Sequence, residues 1–189
     1  DRILKIIEAT SLSARHPSIV VVDEAYQQFS GKASFIPRLK KYKNLVVLRT
    51  LSKVGLAGLR VGFLIADTEI INEVNKVRLP FNVNVLSQRV AVDALKNKKL
   101  LAAQLKSIIE ERKNLFAEMK KIDGIKPYPS DANFVLFKVD DADKVYKGLL
   151  KKGVLIRNMN NVVHGCLRVT AGTPKENIIF LKMIKDILK

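Results

Sequence analysis

One cysteine, two histidines and no long apolar run already bound what this 189-residue chain can be. A lone Cys166 excludes an intrachain disulfide and suits a reducing compartment. Its place in a predicted strand makes it a small core residue rather than a nucleophile. His16 precedes Pro17 in a polar connection, and His164 falls in the turn-like stretch 160–165. Neither belongs to a set of cysteines or spaced carboxylates with metal-ligand spacing, so both read as surface residues and no metal site is expected. No segment is apolar for the roughly 20 residues that a bilayer crossing needs. The amino terminus does not read as a leader, and a soluble, cytoplasmic protein with no membrane partner is expected. Repeats and low-complexity tracts are absent as well.

Acid is also scarce: 18 acidic residues face 34 lysines and arginines, for a formal charge of +16. Clusters such as Lys40-Lys41-Lys43, Lys96-Lys98-Lys99, Lys120-Lys121 and Lys151-Lys152 raise nucleic acid or an anionic surface as a partner. The chain lacks an RNA-recognition or zinc-finger pattern, and no aromatics are interleaved for base stacking. These lysines lie in turns or on amphipathic helices and read as solvated faces, with no nucleic acid partner. At 48% hydrophobic, the chain can bury a substantial core.

What the chain does contain is concentrated at the ends of two apolar runs. The run at 19–22 ends in Asp23, followed by Tyr26; the run at 45–48 leads into Arg49-Thr50-Leu51-Ser52-Lys53, with Arg60 seven residues later. In open α/β sheets, ligands bind beyond the carboxyl ends of strands. A lysine there, beside two hydroxyls and an arginine, suggests an imine-forming amine next to an anion site. A pyridoxal phosphate pocket needs those groups plus a carboxylate for its ring nitrogen. Taken singly, Asp23 could be a strand terminator or helix cap, and Lys53 a solvated charge. Their co-occurrence with Tyr26, Thr50, Ser52 and Arg60 favours a pocket.

Val21-Val22-Asp23-Glu24-Ala25-Tyr26, then Leu48-Arg49-Thr50-Leu51-Ser52-Lys53, with 55–63 following, resemble the cofactor core of the fold-type I, class I/II aminotransferases. Segments 77–82, 132–135, 154–157 and 166–170 carry the resemblance across nearly the whole chain, and the branch it resembles is the histidinol-phosphate aminotransferases. The resemblance implies a pyridoxal 5'-phosphate cofactor with Lys53 as the Schiff-base and proton-transfer lysine. It implies Asp23 as the partner of the ring nitrogen and Tyr26 as the partner of the phenolate oxygen. Thr50, Ser52 and Arg60 would hold the phosphate, although many members have one more residue between that lysine and arginine. Arg168 would grip substrate carboxylate and Arg157 a second substrate anion; both could instead be structural ion-pair formers. The implied activity is transamination of a phosphorylated amino alcohol, histidinol phosphate, with the glutamate/2-oxoglutarate couple, by a homodimer when complete. The family's upstream half carries a phosphate-capping turn, a ring-stacking aromatic and a tyrosine reaching the other subunit. None lies in this chain, which therefore reads as an incomplete, inactive carboxyl-terminal portion. A related aminotransferase, a threonine-phosphate decarboxylase, or a non-catalytic basic interaction module on the same scaffold are the alternatives.

Periodicity supplies the organisation. A short helix near the start, strands at 19–22, 45–48 and 61–66, and helices at 83–95 and 100–122 are expected. The short link from 48 to 61 makes the second and third strands antiparallel. Beyond them come a strand at 134–139, a helix at 142–152, strands at 154–157 and 166–170, and a helix at 174–189 opened by a Thr173/Glu176 capping box. The expected class is α/β: a remnant of the large cofactor-binding domain at 1–97, its sheet mixed and mostly parallel with helices, then a small α+β domain at 98–189.

Overall fold

The structure, a computed structural model, describes residues 2–11, 15 and 17–188. His16, read above as a loop residue, lies outside the described residues, as does Lys189 of the expected last helix. The chain forms two compact units, Asp1–Leu101 and Ala102–Lys189, with the boundary just beyond Asn97.

The first unit holds α1 (Arg2–Ala9), β1 (Val20–Asp23), α2 (Gln27–Ser30), β2 (Leu45–Thr50), β3 (Gly62–Ala66), α3 (Thr68–Val77) and α4 (Val85–Lys96). Its sheet runs β1-β2-β3 and is mixed. β1 pairs parallel to β2, and β2 pairs antiparallel to β3 because the short link through Gly55 and Arg60 leaves no room for a crossover. Side chains alternate between faces, so Val20, Val22, Leu45 and Val47 meet Ile7 and Tyr42 in one core. Asn44, 1% exposed, joins α1 to the entry of β1: its amide donates to the carbonyls of Ile7, Thr10 and Ser18. Buried polar groups persist where every donor is satisfied in this way.

α3 is an addition to the sequence reading. Asp67 caps it by accepting from Glu69 N–H at 3.1 Å and pairs with Lys43, so the chain turns straight from β3 into a helix. Ile70, Ile71 and Val74 carried the helical spacing, but the run is short and mostly polar.

α5 (Lys98–Met119) leads into the second unit, which continues as β4 (Lys126–Pro127), β5 (Phe134–Lys138), α6 (Ala142–Lys151), β6 (Arg157–Asn158), β7 (Cys166–Thr170) and α7 (Pro174–Leu188). Its sheet is antiparallel, in the order β4-β5-β7-β6. Val135, Phe137, Leu167 and Val169 present one face to Leu115 and Met119 of α5, Val145 and Leu149 of α6, and Phe180 and Ile184 of α7. Each such side chain, once buried, contributes about 1.5–3 kcal/mol. α6 and α7 approach closely at Gly148, where an added Cβ would lie 3.1 Å from Ile187.

The strand expected at 154–157 is corrected to Arg157–Asn158. α6 ends in a Schellman motif: Gly153 takes φ 78°, its N–H donates to Leu150 O, and Val154 N–H donates to Leu149 O. Residues 154–156 are spent leaving that cap. The capping box forms as read, with Thr173 N–H and Oγ1 both 2.7 Å from Glu176 Oε2. Cys166 is a buried strand residue. No described helix is long and apolar enough to cross a membrane.

Candidate active site

β1 and β2 run parallel with Asp23 opposite Leu48, so their carboxyl ends emerge together. Pleat alternation places Val21 and Asp23 on one face with Leu48 and Thr50, away from the Ile7–Tyr42 core. That face is open at β1, where Val21 is 56% exposed, and covered at β2, where its neighbour Val46 is 4% exposed. Asp23 closes an Asx turn, its Oδ1 accepting from Ala25 N–H at 2.9 Å, which holds the carboxylate at the strand end.

Lys53 reaches the same end from the turn after β2. Its Nζ stands 5.1 Å from the centroid of the Tyr26 ring, within cation–π range. Two residues 27 positions apart in sequence are thereby brought together. Thr50 Oγ1 accepts from Ser52 N–H at 3.1 Å, and Leu51 N–H donates to Val61 O at 3.1 Å, so the β2–β3 ladder extends into the turn that carries both hydroxyls.

Arg60 is exposed and left-handed, with φ 55° and ψ 34°. A side-chain-bearing residue there costs roughly 1–2 kcal/mol. Two residues on, Gly62 faces Thr50 so closely that a Cβ would lie 3.2 Å from Arg49 O. Among the described residues, Phe81 is the other non-glycine with positive φ, and it is 95% exposed within the 77–82 segment.

Glu24 was missed by the sequence reading. It is 5% exposed, and its carboxylate accepts from Arg49, Ser34 and the Phe35 N–H. The one available signal was an acid directly after Asp23 and an arginine directly before Thr50. Without the strand register, nothing in the sequence makes those two neighbours.

Arg157 and Arg168 belong to the second unit. They sit directly opposite each other across β6 and β7, hence on one face. Like charges so placed repel unless an anion joins them. Arg168 Nε is buried without a hydrogen-bond partner, and its guanidinium lies 4.6 Å over the Phe134 ring. Both arginines line a cavity of about 880 Å³ together with Asn158, Thr170 and Asn177.

Among the described residues, no three His, Cys, Asp or Glu side chains cluster as metal ligands. The first unit gathers an amine, a carboxylate, a phenol and two hydroxyls at paired strand ends, with a further cation on the adjoining turn. Such a donor set fits a ring-bearing phosphate ester whose ring nitrogen needs a carboxylate and whose carbonyl needs an amine. The second unit offers paired guanidiniums in a recess, which fit carboxylate or phosphate.

Comparison with known proteins gives the same kinship. Residues 4–184 match the family described as aminotransferase class I and II. The histidinol-phosphate aminotransferase of Caldanaerobacter subterraneus subsp. tengcongensis is 45% identical over 191 residues, covering 100% of this chain and 52% of that protein. The chain thus spans about half the length of the curated relatives it matches. The crystal structure of the Clostridium acetobutylicum histidinol-phosphate aminotransferase superposes with a TM-score of 0.88 at 26% identity, covering 98% of this chain and 58% of that one. The Sinorhizobium meliloti enzyme of the same name, in complex with pyridoxal-5'-phosphate, shares the fold at a TM-score of 0.86 and 22% identity, with 99% of this chain and 52% of that one covered.

Proposed function

The chain belongs to the aminotransferase class I and II family, and from that premise we propose that it supplies part of a pyridoxal-phosphate-dependent transaminase acting on histidinol phosphate with the glutamate/2-oxoglutarate couple. The observation that carries the reading is the meeting of Lys53 and Tyr26 at the strand ends that bear Asp23 and Thr50. When bound, pyridoxal phosphate supplies an electron-withdrawing ring that makes a substrate α-proton labile.

The chain's own residues take the remaining tasks. Lys53 Nζ would hold the cofactor at its aldehyde carbon and, as a free amine, would carry the substrate α-proton. Asp23 would keep a proton on the ring nitrogen, and Tyr26 would donate to the phenolate oxygen. Thr50 and Ser52 hold the phosphate through their hydroxyls, and Arg60 through charge. Arg168 takes the substrate carboxylate as a fork, with Arg157 as a second anion contact. The choice of substrate rests on the 45% identity to a relative of that name and on the suitability of paired guanidiniums for phosphate and carboxylate. We further propose that the complete enzyme is a homodimer in a cytoplasmic setting; a single, buried cysteine is in keeping with the latter.

The test is covalent trapping. The complete protein is mixed with pyridoxal phosphate, reduced with borohydride and mapped by mass spectrometry; the label is expected on Lys53. Label on another lysine with none on Lys53 overturns the assignment.

A further inference from the structure

The Glu24 carboxyl group is almost wholly buried, yet it sits on the face opposite Asp23 and takes no part in the chemistry assigned above. Burying a carboxylate is unfavourable unless partners replace its water. Here three hydrogen bonds and an ion-pair contact do so. Arg49 Nε and Ser34 Oγ each donate to Oε2 at 2.8 Å, Phe35 N–H donates to Oε1 at 2.6 Å, and Arg49 Nη2 lies 2.8 Å from Oε2. The backbone of Glu24 is engaged too: its N–H donates to Leu48 O at 2.9 Å, and its carbonyl accepts from Gln27 N–H at 3.1 Å.

These bonds join three chain segments: the end of β1, the loop that returns from α2, and the end of β2. Every residue of the first unit assigned to the cofactor except Arg60 lies within four positions of Glu24 or Arg49. The ordinary β1–β2 ladder reaches Asp23 and Leu48, and the Glu24–Arg49 pair is the side-chain link beyond it. A planar guanidinium with Nε and Nη2 against one carboxylate oxygen constrains orientation as well as distance, which an apolar pair of equal volume does not.

We propose that Glu24 is a positioning residue: through Arg49, Ser34 and Phe35 it locks the strand ends bearing Asp23, Tyr26 and Thr50–Lys53 in one arrangement, and thereby sets the affinity for the pyridoxal phosphate ring and phosphate. The inference rests on the proposed function, because it is that reading which makes those neighbours cofactor contacts.

The experiment compares Glu24→Gln and Arg49→Lys in the complete protein with Leu45→Ala, a truncation in the same unit's core outside this network. Three quantities are read: the thermal midpoint, the dissociation constant for pyridoxal phosphate by absorbance titration, and amide hydrogen exchange of the cofactor-free protein. At comparable loss of thermal midpoint, both network variants should bind pyridoxal phosphate about tenfold or more weakly than Leu45→Ala does, the scale of one lost charge-assisted contact. Exchange should quicken at 23–26 and at 50–53 together. Affinities within about twofold of the core control, or faster exchange in one segment alone or in neither, overturn the proposal. Should Glu24→Gln fail to fold, Arg49→Lys, which keeps the charge but not the planar guanidinium, carries the comparison. If the unsubstituted protein does not bind pyridoxal phosphate, the functional reading falls, while the exchange data still decide whether Glu24 couples the strand ends.

Discussion

Replacing Arg168 with methionine should separate ligand binding from folding, because the arginine has several features that do not serve the fold. Its Nε–H is buried without an acceptor, and an orphaned buried donor costs about 1–3 kcal/mol. It faces Arg157 across β6 and β7, and a like-charge cross-strand pair costs about 0.2–1 kcal/mol. Against these stands its stacking on Phe134 at 4.6 Å, about 0.5–1 kcal/mol, part of which a methionine thioether over the ring retains. The expected effect on stability therefore runs from near nil to about 3.5 kcal/mol of gain. Binding should move the other way. Losing a charge-assisted contact to carboxylate costs roughly 1.5–3 kcal/mol, or about 10- to 150-fold in affinity. Calorimetric titration of the complete protein with 2-oxoglutarate, beside a thermal scan and a pyridoxal phosphate titration, reads all three. A variant that melts lower, binds 2-oxoglutarate as before, or loses pyridoxal phosphate instead would refute the reasoning and make Arg168 a structural residue.

Arg60→Gly should raise the thermal midpoint, since glycine relieves the roughly 1 kcal/mol of left-handed strain at φ 55°, while weakening pyridoxal phosphate binding; a lowered midpoint with unchanged binding would contradict it. Acid should destabilise the fold through four depressed carboxyls. Asp67 is lowered by Lys43 and the Glu69 N–H, Glu118 by Lys121, Asp143 by the amides of Asn158 and Asn160, and Glu176 by the N–H and hydroxyl of Thr173. Because each folded-state pKa lies below its unfolded value, their contribution is complete above the ordinary carboxylate range and is lost as pH falls below about 4. Asp143→Asn should lose less midpoint over that acid range than the unsubstituted protein in a pH series of thermal scans; an identical acid slope counts against the assignment.

Much of the fold was legible because its signals are local. The Val-rich runs of β1 and β2, the apolar spacing in α5 and α7, and the Thr173/Glu176 box each act within a few residues, so periodicity and capping rules found them. β6 was misread because Gly153 closes α6 with a left-handed turn that consumes the following apolar residues. α3 escaped because a short polar helix leans on its Asp67 cap more than on a stripe. The residues of the candidate site were nominated by their places at predicted strand ends and by the family resemblance.

The sequence by itself determined that β1, β2, β3, β5 and β7 form, that β2 and β3 run antiparallel, and which groups stand at the ends of β1 and β2, since each follows from neighbouring residues and short links. Only the tertiary structure decided that Lys53 lies against Tyr26, that Glu24 is buried against Arg49, Ser34 and the Phe35 N–H, and that Arg157 and Arg168 face each other. Those relations depend on the register between strands distant in sequence. Register is set by the summed packing and hydrogen bonding of whole ladders, which no single stretch of residues encodes.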